Sequence, residues 1–187
     1  MTAQINDSVF HRKITFEIAA SKGSGLFNPD DFGLKTQAVS SACWRGYVAE
    51  YEICDAVLCI RRLRISLAPA HPVPELYGKR PIRKMGELTY NELAQKICFN
   101  GGLLLATGFV RELYVHMGFH PAWKYEHVRE LIFKDGDLVY EEDKSEEVAA
   151  IRRRRASDPL GPGSEKPADV MEWIDDCFTQ HYKPGSI

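Results

Sequence analysis

One stretch constrains this chain more than any other: WRGYVAEYEICDAVLCIRRLRISL, Trp44 to Leu67. Tyr47, Ala49, Tyr51 and Ile53 alternate with Val48, Glu50 and Glu52, the period of two expected of a strand with one face buried and one wet. A second run follows, with Val57, Cys59, Leu63 and Ile65 on one face and Leu58, Ile60, Arg62 and Arg64 on the other. Only Cys54, Asp55 and Ala56 lie between, so the two runs read as a hairpin. Setting Ile53 opposite Val57 puts Tyr51 against Cys59 and Tyr47 against Leu63, with Glu50 diagonal to Arg62. Arg61 then falls on the apolar face opposite Ala49, either at the sheet margin or beside a buried partner.

A chain of 187 residues with 44% hydrophobic content has enough apolar surface for one folded domain with appendages. Its net charge of −2 gives no global attraction for nucleic acid or an anionic membrane. The N-terminus lacks a signal-peptide h-region and no run reaches membrane-spanning length, so a cytoplasmic protein is expected. The five cysteines have no CxxC spacing; Cys59 and Cys98 sit among apolar neighbours and read as reduced, buried side chains.

In chain order, Lys13 to Ala19 alternate as a short strand. SKGSGLFNPDDFG breaks the pattern, and its Leu26, Phe27 and Phe32 are expected to fold back on the core or offer a contact surface. Four prolines from Pro69 to Pro81 take the chain out of the sheet. Thr89 and Glu92 have capping-box spacing, with Leu93, Ala94 and Ile97 at helical intervals, which predicts a short helix. Leu103 to Ala106 reads as a strand buried on both faces. Val128 to Phe133 and Leu138 to Glu142 flank Asp135 and Gly136, a type I′ hairpin with Phe133 opposite Leu138, Leu131 opposite Tyr140 and Arg129 opposite Glu142.

This organisation predicts a β-rich core over 1–142, a short helix over 143–156 capped by Asp143, a linker over 157–167 and a C-terminal docking helix over 168–182. The last carries the stripe Val170, Trp173, Ile174, Cys177 and Phe178, to be covered in cis or by another chain. The expected fold class is mainly β, an antiparallel sandwich or partly open barrel with a few short helices.

The strings CWRGYVAEYEI and LYVHMGFHPAWKYEHVRELIFKDGDLV resemble a family of uncharacterised bacterial cytosolic proteins that share a WRGY-then-YEI strand and a VHMGF segment ahead of a final hairpin. The likeness runs from about Ser41 to Val139. It implies a compact fold rich in antiparallel sheet, with the VHMGF region crossing one end, and implies no activity. Many members carry glycine in the first hairpin turn, where this chain has Ala56.

Chemistry-bearing residues concentrate in two places. Glu50, Glu52, His116 and His120 are the catalytic candidates, for a hydrolase working from the sheet, with metal assistance as a variant. His116 and His120 have i, i+4 spacing, but Gly118 and Pro121 argue against a regular helix there, so no metal site or cofactor is expected. Trp44, Arg45, Tyr47, Tyr114, His116, Met117, Phe119 and Trp123 are the binding candidates, because five aromatics between Phe109 and Tyr125 must cover the core or wall a ligand. The acidic flanks of Arg152 to Arg155 argue against nucleic acid. The leading expectation is a non-enzymatic binding protein for a protein partner or small molecule, with a second copy of the chain among the partners it admits.

Overall fold

The structure, a computed structural model, describes residues 2–69, 72–84, 86–116, 118–154, 166–168 and 170–171. Most of the expected linker and most of the expected C-terminal helix lie outside them. The strands are β1 (Ser8–His11), β2 (Ile14–Ser24), β3 (Tyr47–Cys54), β4 (Val57–Ile65), β5 (Ile82–Lys84), β6 (Glu87–Tyr90), β7 (Gln95–Lys96), β8 (Asn100–Phe109), β9 (Tyr125–Lys134) and β10 (Asp137–Asp143), followed by helix α1 (Ser145–Arg154).

Seven strands close a barrel in the order β10-β9-β8-β2-β1-β3-β4, and β4 meets β10 again at Val57 and Asp137. The mainly β expectation holds, in its barrel form. Every pair around the barrel is antiparallel except β1 with β3, which is parallel with Val9 opposite Tyr51. The closing seam is narrow. Leu58 N donates to Gly136 O, Leu138 N to Ala56 O and Gly136 N to Phe99 O, while Lys96 Nζ meets Asp137 Oδ1 at 2.8 Å. Gly136 has φ +83 and a Cβ there would lie 2.1 Å from Ile97 O, so no other residue fits.

The β3–β4 hairpin forms with a different register from the one expected. Cys54 pairs with Val57 across a two-residue turn, Asp55 and Ala56 both at positive φ, so Tyr51 faces Ile60 and not Cys59. Arg61 is the extra residue of a β-bulge: Tyr51 pairs with Ile60 and Glu50 with Arg62, leaving Arg61 unpaired and exposed, its guanidinium 5.5 Å from the Phe10 ring centroid. The bulge flips the alternation, so Leu58 and Ile60 point inward before it and Leu63 and Ile65 after it, all with no exposed surface. Cys59 therefore lies on the outer side, half-buried, and Cys98 is exposed; neither is the buried side chain expected.

The β9–β10 hairpin has the expected turn at Asp135 and Gly136, and Phe133 faces Leu138. A bulge at Val139 then shifts the pairing, placing Leu131 opposite Glu141 and Arg129 opposite Asp143. The helix expected near residues 89 to 97 does not form. Thr89 pairs with both Arg64 and Ile82 in the ladder, and Glu92 and Ala94 take positive φ, so tertiary pairing overrides the local capping signal.

The barrel interior is one apolar cluster that includes Val9, Tyr51, Leu63, Leu105, Leu131 and Phe133. Phe27 folds back on it, 5% exposed, donating its N–H to the Tyr51 hydroxyl, while Phe32 stacks on Phe27 from outside. A second cluster lies on the outer face, where α1 seats Val148 against Ala106, Ala122, Tyr125 and Val128. Asp143 Oδ1 accepts from Ser145 N at the start of α1, and Glu146 and Glu147 complement its dipole. Arg152 donates to the carbonyls of Trp123 and Tyr125, so the first arginine of the basic run fastens the helix to the barrel.

Candidate functional site

The connection from β8 to β9 runs through two short 3₁₀ turns, Arg111–Leu113 and Ala122–Lys124, joined by an irregular stretch. Its backbone is fastened at several points. Val110 N donates to Lys124 O at 2.9 Å, Lys124 N to Pro121 O at 3.0 Å, and Gln4 N to Gly118 O at 2.7 Å. The N-terminal segment that holds Gly118 also holds the loop before β3, with Ile5 N donating to Ala42 O and Trp44 N donating to Gln4 Oε1.

The connection gathers rings around His120. Its imidazole lies 4.8 Å from Phe109 and 5.3 Å from Tyr114, and Phe109 in turn meets Tyr125 edge-on at 5.2 Å. His120 is 8% exposed, yet neither Nδ1 nor Nε2 has a hydrogen-bond partner. Burial, reinforced by the nearby Lys124 cation, pushes its pKa down to about 4, against a smaller opposite pull from Glu17. At neutral pH the ring is therefore uncharged, with one N–H and one lone pair unused. Beside it, Tyr125 and Asn6 both donate to Glu17 Oε2, at 2.7 and 2.8 Å, and burial with the Glu17 charge pushes the Tyr125 hydroxyl up.

The other expected site residues are spread over the molecule. His116 is exposed and its Nδ1 shares a hydrogen bond with the Tyr114 hydroxyl at 3.0 Å; Tyr114 is 47% exposed. Phe119 and Trp123 are half-buried, with Lys124 Nζ 5.4 Å from the Trp123 ring, and Met117 lies outside the described residues. Trp44 is exposed. Arg45 is bound to Asp7 by two hydrogen bonds of 2.9 and 3.0 Å and lies over the Tyr47 ring, which itself packs on Phe27. Glu50 sits directly opposite Arg62 and pairs with it at 3.4 Å, and Glu52 shares that outer face of β3. β1 and β2 separate β3 from β8 in the sheet, and no hydrogen bond or ion pair joins either glutamate to His116 or His120.

A second polar group, between the β1–β2 turn, β9 and β10, escaped the reading of the sequence. Glu141 is met by His11 Nε2 at 3.0 Å, Arg129 Nε at 2.6 Å and Arg12 Nη2 at 2.8 Å. Burial would push its carboxyl up, but the hydrogen bonds from Arg129 and His11 outweigh that and hold it below the usual glutamate value. The one available signal was Arg129, which shares its strand face with Leu131 and Phe133. All three donors converge on one carboxylate, a brace between the β1–β2 turn, β9 and β10.

Among the described residues, no group of three or more His, Cys, Asp or Glu side chains is placed to hold a metal ion, and no helix is long and apolar enough to cross a membrane. In comparisons with known proteins the chain matches no family model, no curated protein and no solved structure.

Proposed function

We propose that this barrel is a non-enzymatic binding protein, for a protein partner or small ligand, and that the β8–β9 connection is its recognition surface. The observation that carries the reading is His120, a buried imidazole with both ring nitrogens unsatisfied. Leaving such a group without partners costs about 1 to 3 kcal/mol, and buried polar groups without partners cluster where a bound molecule completes them. The rings of Phe109, Tyr114 and Tyr125 around it are the apolar lining that small-molecule sites use. A reducing, cytoplasmic compartment suits the free cysteines. The hydrolase reading has less support, since Glu50 is engaged by Arg62 and lies strands away from either histidine.

Thermal unfolding of the full chain against a chemically diverse set of small molecules and peptides tests the reading. At least one compound should raise the melting temperature of the wild type and leave His120→Phe unmoved. Compounds that stabilise both proteins equally, or no stabilising compound at all, would overturn it.

A further inference from the structure

We infer that the Tyr114 ring is a displaceable occupant of the site over His120, and that the site takes an uncharged planar aromatic ring with a hydroxyl or ring N–H on its edge, the phenol and indole class. This rests on the binding reading above and names a ligand class for it.

The backbone around Tyr114 is held by main-chain hydrogen bonds, whereas its side chain is nearly half exposed. Tyr114 N donates to Arg111 O at 3.1 Å, and the hydrogen bonds of Val110 and Gly118 fix the connection on either side. Beyond its Cβ, the side chain has one hydrogen bond, from its hydroxyl to the exposed His116. A bond of that kind in water is worth about 1 kcal/mol or less net. The ring contacts His120 and meets Phe109 at 85°, while 47% of the residue's surface is exposed. Rotation about χ1 therefore removes the ring without moving the main chain, a motion that half-exposed side chains make readily.

What Tyr114 vacates defines what can enter. The space is bounded by the rings of Phe109 and His120, with Tyr125 behind Phe109, and a phenol side chain already fits it. A flat ring gains the same edge and tilted contacts, each worth about 0.5 to 1.5 kcal/mol beyond burial. The neutral imidazole offers a donor and an acceptor, so a hydroxyl or ring N–H finds a partner that a plain hydrocarbon ring does not use. At this buried, ring-lined position a charged ligand would have to shed its water, so an uncharged ring is favoured.

Phenol and toluene, the same ring with and without a hydroxyl, are the probes. Each is titrated into the full chain while the His120 ring resonances are followed by NMR. Phenol should move those resonances, bind Tyr114→Ala about tenfold tighter than wild type because no ring has to be displaced first, and be preferred to toluene in both. Tyr114→Phe, which cuts only the link to His116, should tighten phenol by about threefold. The preference for phenol over toluene should vanish in His120→Phe. Equal phenol affinity in wild type, Tyr114→Ala and Tyr114→Phe, or unmoved His120 resonances throughout, would overturn the inference. If phenol fails in this way while another compound stabilises the wild type and not His120→Phe, the ligand class falls and the binding reading stands.

Discussion

His11 Nε2 lies 3.0 Å from Glu141 Oε1, joining the first strand of the barrel to the last across 130 positions of sequence. Arg129 and Arg12 bind the same carboxylate, so one glutamate ties the β1–β2 turn, β9 and β10 together. Because its carboxyl is held below the ordinary value of 4.5, it binds a proton less readily folded than unfolded. Its contribution is complete above about pH 4.5 and is lost as the pH falls through the depressed folded value. Glu141→Gln should lose about 2 to 3 kcal/mol at pH 7 and show a flatter acid limb than wild type in urea titrations from pH 3 to 7.

His120 carries a linkage of the same sign in a higher pH window. Its folded pKa of about 4 lies below the ordinary 6.5, so between those values the unfolded chain holds a proton that the folded chain refuses. Wild-type stability should therefore fall as the pH drops from 6.5 toward 4. His120→Phe should remove that slope and raise stability at pH 7 by about 1 kcal/mol, since it replaces two unsatisfied nitrogens with carbon in a ring-lined site. An NMR titration placing the wild-type His120 near pH 6.5 would contradict the burial argument.

Ala56 has φ +62 in the two-residue turn of the β3–β4 hairpin, a left-handed conformation that costs an L-residue with a Cβ about 1 to 2 kcal/mol. Ala56→Gly should relieve that strain, offset in part by the freer unfolded chain, for a net gain of about 0.5 to 1 kcal/mol. The Ala56 carbonyl that accepts from Leu138 is unchanged by the substitution, so the gain should appear in the urea midpoint with the slope unaltered.

The β3–β4 hairpin was legible because alternation over eight or more residues is a strong signal, and the β9–β10 hairpin because Asp-Gly suits positive φ at both central positions of its turn. Register was not. The Arg61 bulge reverses which side chains point inward halfway along β4, and the awkward place of Arg61 on an apolar face was its trace in the sequence. Barrel closure was also hidden, because it depends on contacts between Leu58, Gly136 and Phe99 that no local pattern encodes. Of the site, the aromatic crowding around His120 could be read from composition, whereas its lack of partners depends on where Phe109 and Tyr114 come to rest. The His11–Glu141 brace joins residues too far apart for any periodicity to reveal.

Arg45, a binding candidate from sequence, sits in a structural role that can be separated from binding by experiment. Asp7 accepts two hydrogen bonds from its guanidinium and a third from Ala49 N, while the Asp7 carbonyl accepts from Ile18 N. One aspartate thus fixes the start of β1 against β3 and β2, and Arg45 supplies the balancing charge. Arg45→Ala would leave Asp7 half-buried in charge with only a backbone donor, and should cost about 3 kcal/mol. Arg45→Lys keeps the charge but cannot make the two parallel bonds, and should cost about 1 to 2 kcal/mol. In a double-mutant cycle with Asp7→Asn, the pair should show a coupling of about 2 kcal/mol in urea unfolding. A residue whose work was to hold a ligand would instead leave unfolding of the free protein nearly unchanged, so a coupling near zero would return Arg45 to the binding surface.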